Sequence, residues 1–557
     1  MDHQIVTYKE FKYWQVAFQS GLLLAAGWFP IGFPLLLFYA FVPLLLWEQK
    51  ILKTSDTFDS QCGKVFLISF TAFSIFNVSR VWWVSMSAWF AIVVPFFNAM
   101  LMASAFTLYH YLRVCHYNSK RTILFFPLLW LLFESVNTNW DLNFPWLNIG
   151  NGFADTPYLV QWYELTGSAG GTLWVTLVNA FVAITIISMH RFEMYLKYIF
   201  TTLCLIFVPI LLSLIMYWCY EPDTSKPADI VLLQPNLDPY EDQFTLSADS
   251  VSSILLAMAS EKVDEKTDYV VAPESCLQEL AWEERLINTG SINKIFQFNE
   301  SYPRLNWIAG MSTRRMLSPE QMSIAARYIQ GSDSLFYDCS NVAINIGKPN
   351  QDNNIALRRK MYLTPTVEKM PFKGVFPFLE SLALDLGGTV GTLAVDDSVR
   401  CFDNTNTGIR SAAMICYESA EGNLVRKFSL AGSEVLFCIT NDGWWGNTQG
   451  YKQHKSLSRL RAIENRRYVC RAANTGTSCF IAPNGDILQQ SDYWERQSLK
   501  STIYLQQGTT FYVRHGNYIY CLAGLTLVIA ILVGPIKFLY LFVKQIKQRH
   551  RKSSQEE

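Results

Sequence analysis

The chain has 557 residues, with 46 basic and 46 acidic side chains and a formal net charge of zero. That balance argues against a nucleic-acid partner, which needs a basic surface. Half of the residues (50%) are apolar and only 17% are charged, which is few for a soluble protein.

The charges are unevenly placed: sparse from about Trp14 to Tyr220, ordinary from Glu221 to Arg514, and sparse again after Asn517. The layout predicts an N-terminal membrane domain (1–220), a soluble domain (221–514), and a last membrane helix with a basic tail (515–557). A bilayer core takes about 20 mostly apolar residues per helix. Eight spans follow, at 14–31, 33–48, 65–85, 87–112, 122–138, 168–189, 196–219 and 518–543. Pro30, Pro34 and Pro43 interrupt the first two, which suits a bent hairpin. No small-residue cleavage pattern follows the first span, so it reads as a retained anchor.

Lys and Arg in short loops mark the cytoplasmic side. Lys50, Lys53 and Lys64 lie in one such loop, Arg113, Lys120 and Arg121 in a second, and Arg191 and Lys197 in a third. The tail carries Lys544, Lys547, Arg549, Arg551 and Lys552, whereas the 139–167 loop has no Lys or Arg. With eight spans, both termini are then cytoplasmic and the 221–514 domain lies outside. The 139–167 loop is rich in rings, among them Trp140, Phe144, Trp146, Trp162 and Tyr163. Such rings favour the membrane–water interface. A surface loop is the plain reading; a lip over the active site that guides lipid tails is the sharper one.

In the soluble domain, β-rich runs recur at Ile230–Gln234, Tyr269–Ala272, Trp307–Ala309, Leu335–Ile346, Ala412–Cys416, Val435–Thr440 and Ser478–Ala482. Helical stretches such as Asp249–Lys262 and Gly450–Tyr468 separate several of them. This alternation predicts a layered α/β fold, and Val435–Thr440 is apolar enough to be buried on both faces. Strand ends are where ligand sites lie in such sheets. One strand ends at Glu274, another at Cys416-Tyr417-Glu418, a third at the Asn441-Asp442-Gly443 turn. The domain has seven cysteines but no CxxC and no His-rich cluster, so neither metal nor cofactor is expected.

Taken singly, each residue has a bland reading. Glu274 suits a helix cap after Pro273. Lys360 suits a solvated basic run with Arg358 and Arg359. Cys416 suits a buried thiol. Trp444 and Trp445 suit either core packing or a gate over substrate. His454 reads as structural, and Arg461 with Glu464 as a helix ion pair.

The three elements nonetheless occur in a particular order: Ala272-Pro273-Glu274, then Arg359-Lys360-Met361-Tyr362-Leu363-Thr364-Pro365, then Ile415-Cys416-Tyr417-Glu418. This order resembles the nitrilase, or carbon–nitrogen hydrolase, superfamily over roughly 228–510. Asn441-Asp442-Gly443-Trp444-Trp445, Arg461-Ala462-Ile463-Glu464-Asn465 and Ala473-Asn474-Thr475-Gly476 extend the likeness. Set between seven N-terminal helices and one C-terminal helix, the whole is similar to the apolipoprotein N-acyltransferase family. Gln234-Pro235-Asn236 and Glu368 fit that pattern. Three stretches depart from it. Glu241-Asp242-Gln243-Phe244 stands where a Lys is usual, Cys339-Ser340-Asn341 replaces Tyr-Asn-Ser, and Thr364-Pro365-Thr366-Val367-Glu368 replaces Val-Pro-Phe-Gly-Glu.

The resemblance implies an α-β-β-α sandwich beside a membrane bundle, with Glu274, Lys360 and Cys416 as the catalytic set. It implies that Cys416 takes an sn-1 acyl chain from a phospholipid such as phosphatidylethanolamine and passes it to the α-amine of a diacylglyceryl-cysteine on an apolipoprotein. Glu274 would be the base and Lys360 the oxyanion cation, with the Tyr417 N–H as a second donor. Glu368 and Glu418 would orient Lys360 and assist proton traffic, Asn341 would be a further supporting residue, and Phe244, Trp444 and Trp445 would keep water from the thioester. The setting implied is the bacterial inner membrane, with the catalytic domain periplasmic. A membrane-anchored amidase acting on a small amide is the alternative. A binding module without catalysis would lack a member of the set, and none is missing.

Overall fold

The computed structural model describes residues 13–54, 56–116, 120–243, 245–329, 335–348, 355–369 and 392–532. Among these, five helices are long and apolar enough to cross a membrane: Pro34–Ile51, Phe58–Met86, Trp89–Cys115, Ser168–Ile187 and Phe192–Trp218. Each falls on a predicted span. Of the other three predicted spans, one holds the shorter helix Phe125–Thr138, and two hold Tyr13–Gly27 and Tyr518–Leu532, which respectively begin and end at the limits of the described residues. Residues 533–543 of the last span lie outside the described residues. The proline-rich hairpin is bent as expected: Tyr13–Gly27 stops short of Pro30, and Pro34 opens a 3-10 turn before Val42–Ile51 begins.

Fourteen strands follow among the described residues. They are β1 (Pro227–Gln234), β2 (Thr267–Val271), β3 (Leu277–Trp282), β4 (Asn306–Leu317), β5 (Arg327–Tyr328), β6 (Phe336–Ile346), β7 (Ile355–Arg359), β8 (Phe402–Asp403), β9 (Arg410–Ile415), β10 (Val435–Thr440), β11 (Val469–Ala473), β12 (Cys479–Ile481), β13 (Ile487–Gln490) and β14 (Gln497–Tyr504). One sheet runs β14-β1-β2-β4-β6-β5, with β3 beside β4 and β7 beside β6; the other runs β13-β12-β11-β10-β9-β8.

Period-2 alternation divides each strand between two cores. Ile230, Leu232, Tyr269 and Val271 meet Ala413, Ile415, Phe437 and Ile439 between the sheets. Val231, Leu233 and Val270 instead face the helices Ala248–Ser260 and Gly290–Glu300. On the far side, Met414, Leu436 and Cys438 face Leu424, Val425 and Phe428 of Gly422–Leu430 and Ala462 of Gln449–Asn465. Helix, sheet, sheet, helix is the layer order, and β10 is buried along its whole length.

The sandwich is not hinged loosely on the membrane block. Leu457, Leu460 and Ile463 on one face of Gln449–Asn465 are fully buried in the same apolar cluster as Trp28, Phe153 and Trp174. Burying each such side chain contributes about 1.5–3 kcal/mol. The 139–167 segment lies beneath this helix. It folds into 3-10 turns, and Trp146, Phe153, Trp162 and Tyr163 are buried rather than spread on a surface. Polar ties reinforce the contact: Trp146 Nε1 donates to Gln453 Oε1 at 2.7 Å, and Ser168 N donates to Glu464 Oε1 at 3.0 Å. Arg461 and Glu464 pair as expected at 2.9 Å, but inside the structure. None of the twelve cysteines forms a disulfide.

Candidate active site

β2 and β7 lie in one sheet and β9 and β10 in the other. Glu274, Lys360, Cys416 and Asn441 all follow the C-terminal ends of these strands. Past β2 the chain crosses β4 closely: Ala272 N donates to Ile308 O at 2.8 Å and Gly310 N to Pro273 O at 3.0 Å. A Cβ on Gly310 would lie 2.5 Å from Glu274 Cα and 2.4 Å from Ser275 N. Ser275 itself takes φ +50°. The turn that presents Glu274 therefore needs a glycine opposite it. Gly310→Ala should push Glu274 off its contacts with Lys360 and Asn341 and cost about 10²-fold in turnover, because a roughly 1 Å misplacement within an active site carries a penalty of that order. Steady-state kinetics with an unchanged rate would refute this.

Arg358, Arg359 and Lys360 are not a solvated run. All three are buried, each with its own carboxylate. Alternation along β7 sends Arg358 to Glu418, with its Nε donating to Ala413 O at 2.6 Å, and sends Arg359 the other way to Glu283 and Asp396. Lys360 Nζ lies 3.1 Å from Glu274 Oε1 and 2.8 Å from Glu368 Oε2. Asn341 Nδ2 bridges the same two carboxylates, at 2.8 Å to Glu274 and 2.9 Å to Glu368. Burial opposes the Lys360 charge, yet Glu274 and Glu368 outweigh it and hold the ammonium well above its ordinary range. Burial likewise opposes ionisation of Glu368, and Lys360 reverses it, so that carboxyl is held low.

Cys416 follows β9 with φ +49°, a left-handed conformation rare for a residue with a side chain. Burial pushes its thiol well above the ordinary value, the Glu274 charge adds to this, and Lys360 draws it back.

Glu274, Asn341, Lys360, Glu368, Cys416 and Tyr417 line one cavity of about 480 Å³. Trp444 and Trp445 line it too, whereas Phe244 lies outside the described residues. Its apolar wall comes from the membrane block: Phe90, Val93, Val94, Phe97 and Leu101, with Phe144 and Trp146 of the 139–167 segment. That segment therefore contributes to the wall of the cavity. Tyr417 OH donates to Asn143 O at 3.0 Å, and its ring stacks parallel to Trp146.

Two expectations need correcting. Glu418 does not hold the Lys360 side chain. It pairs with Arg358 and accepts from the N–H groups of Ile415 and Met361, both at 2.7 Å, so it clamps the backbone beside Cys416 to the backbone beside Lys360. The structural reading of His454 is also too small: it is buried, lines the cavity, and places Nε2 3.0 Å from Cys416 O. Its sequence signal, a lone His in a helix, is too weak to have shown this. Gln243, in the stretch that departs from the family pattern, also faces the cavity, where it contacts Asn441 and donates to Ser275 O at 3.3 Å.

Comparison with known proteins gives matches over nearly the full length. The family model described as Apolipoprotein N-acyltransferase N-terminal domain matches residues 20–181, and that described as Carbon-nitrogen hydrolase matches 232–511. An apolipoprotein N-acyltransferase from Chlorobaculum tepidum is 26% identical over 512 residues, 90% of this chain and 92% of that one. One from Geobacter metallireducens is 25% identical over 537 residues, 93% and 94% of the two chains. Among solved structures, a nitrilase-superfamily protein of Saccharomyces cerevisiae superposes with a TM-score of 0.35 at 13% identity, covering 50% of this chain and 91% of its own. The hydrolase model spans half of the sequence, its strands form the layered sandwich, and the acyltransferase domain precedes it: the chain belongs to the carbon–nitrogen hydrolase family, among the apolipoprotein N-acyltransferases.

Proposed function

We infer that the protein is an apolipoprotein N-acyltransferase that works through a thioester on Cys416. One observation carries the reading: the cavity joins a thiol, a lysine and a carboxylate to an apolar wall supplied by membrane helices. A small soluble amide has no use for that wall, but an acyl chain does.

In the first half-reaction Glu274 takes the Cys416 proton as the sulfur attacks the ester carbon of a phospholipid's sn-1 chain. The oxyanion forms against Lys360 Nζ and the Tyr417 N–H. Collapse breaks the carbon–oxygen bond, Glu274 returns the proton to the glycerol oxygen, and lysophospholipid leaves. In the second, the neutral α-amine of a diacylglyceryl-cysteine attacks the thioester carbon. Glu274 takes a proton from that nitrogen, the carbon–sulfur bond breaks, and the proton returns to sulfur. Preorganised donors of the oxyanion kind are each worth about 3–4 kcal/mol. The rings of Trp146, Trp444 and Trp445 around the cavity exclude the water that would otherwise hydrolyse the thioester.

The test is transfer in detergent from phosphatidylethanolamine with a labelled sn-1 chain to a diacylglyceryl peptide. Mass spectrometry should show an amide-linked third chain and, without acceptor, acyl mass on Cys416. Acyl mass on another cysteine, or amide hydrolysis without transfer, would sink the reading.

We assign residues 221–514 to the catalytic domain outside the inner membrane, with 1–220 and 515–557 spanning it and both termini cytoplasmic. The Lys and Arg content of the 49–64, 113–121 and 190–197 loops supports this orientation. Cys115 and Cys219 are both exposed, at opposite ends of the predicted spans. In spheroplasts an impermeant maleimide should reach Cys219 and spare Cys115; the converse labelling would invert the topology.

A further inference from the structure

We propose that His454 is a positioning residue which, with Ser419, aims the Tyr417 backbone N–H at the oxyanion formed on Cys416 attack. The inference rests on the reading of Cys416 as nucleophile and adds a group to that site.

The left-handed backbone of Cys416 persists only if its surroundings hold it. Its carbonyl oxygen lies 3.0 Å from His454 Nε2 and accepts from Ser419 Oγ at 2.9 Å. In this proposal the hydrogen sits on Nε2, which also lies 2.8 Å from Ser419 Oγ, and Nδ1 is left to accept from Arg471 Nη2. The Cys416 C=O and the Tyr417 N–H belong to one planar peptide and point in opposite directions. Pinning the oxygen therefore fixes where the N–H points. Tyr417 lies in the first turn of a 3-10 helix (Cys416–Ala420), where N–H groups have no partner within the helix. Hydrogen bonds to the carbonyl also polarise the peptide and strengthen its N–H as a donor.

The imidazole is itself held rigidly. Nδ1 lies 2.9 Å from Asp442 Oδ1 and 3.1 Å from Arg471 Nη2. Arg471 pairs with Asp442, and Thr440 Oγ1 donates to Asp442 at 2.9 Å. His454, Asp442 and Arg471 are completely buried. The rings of Trp146 and Trp445 pack on the imidazole at centroid distances of 5.4 and 5.9 Å. With Nδ1 facing the Arg471 donor, the imidazole turns its other nitrogen to the Ser419 hydroxyl and to the carbonyl of Cys416.

The experiment compares His454→Leu, His454→Gln and Ser419→Ala in the full-length protein with labelled phosphatidylethanolamine and a diacylglyceryl peptide. Loss of an oxyanion donor lowers kcat by about 10²–10³-fold. We expect a fall of that order in kcat for His454→Leu, a smaller one for Ser419→Ala, and KM within about twofold of wild type for both. His454→Gln, whose amide can still donate to the carbonyl, should recover most of the rate. A wild-type kcat in His454→Leu and Ser419→Ala would overturn the proposal. So would a loss in KM alone, or a loss tracking thermal unfolding with no recovery by Gln. If His454→Leu does not fold, Ser419→Ala decides. Wild-type protein that acylates peptide without acyl mass on Cys416 would instead remove the thioester reading beneath it.

Discussion

Cys416→Ala is expected to transfer no acyl chain while folding as the wild type does. The substitution removes one sulfur from a residue that is only partly buried and opens on the cavity. The β9 backbone and the Glu418 clamp on Ile415 and Met361 do not depend on it. The cost to stability should stay within the 0.5–3 kcal/mol usual for point variants. The cost to activity should exceed about 10⁴-fold, since without the nucleophile no thioester forms and only the scaffold's binding remains. Thermal unfolding in detergent and mass spectrometry of the acceptor peptide read the two effects separately. Full acylation by the variant would overturn the assignment of Cys416.

The second large effect comes from the charged group beside it, where Glu274→Gln and Lys360→Met should differ in stability and agree in activity. Lys360 faces two carboxylates, at 3.1 and 2.8 Å. Glu274→Gln leaves it paired with Glu368, and the amide still meets Asn341, so the fold keeps its balance. Only the proton acceptor is gone, a loss of about 10²–10⁴-fold in turnover. Lys360→Met leaves Glu274 and Glu368 buried together without a cation. Breaking a buried pair in that way costs about 3–5 kcal/mol, and the oxyanion loses its charge partner as well. Lys360→Met should therefore be inactive and melt well below Glu274→Gln. Equal melting temperatures would contradict the charge accounting, and near-normal turnover in either variant would remove its assigned role.

Much of this site was legible in the order of residues along the chain. β2, β9 and β10 announce themselves as short apolar runs closed by polar residues, a pattern that period-2 side-chain geometry makes local. Glu274, Cys416 and Asn441 then fall at strand ends by counting. Strands with a polar face were harder. Leu277–Trp282 and Gln497–Tyr504 carry too many Gln, Glu, Ser and Lys side chains to stand out, and β14 shows only Leu499 and Ile503 to the interior. The basic run at Arg358-Arg359-Lys360 looked solvated because the carboxylates that neutralise it come from distant segments, with Glu274 86 positions away from Lys360.

By itself, then, the sequence determined the division into membrane and soluble parts, the α/β layering and the Glu274, Lys360, Cys416 order. Hydropathy and alternation act over a few residues, and motif order is read directly. Only the tertiary structure decided that Lys360 is shared between Glu274 and Glu368, that Glu418 clamps backbone instead, and that His454 reaches the Cys416 carbonyl. It alone decided that Phe90, Val93 and Trp146 of the membrane block wall the cavity. Those contacts depend on which strands neighbour each other and on how the helix Gln449–Asn465 docks, and no local pattern encodes either.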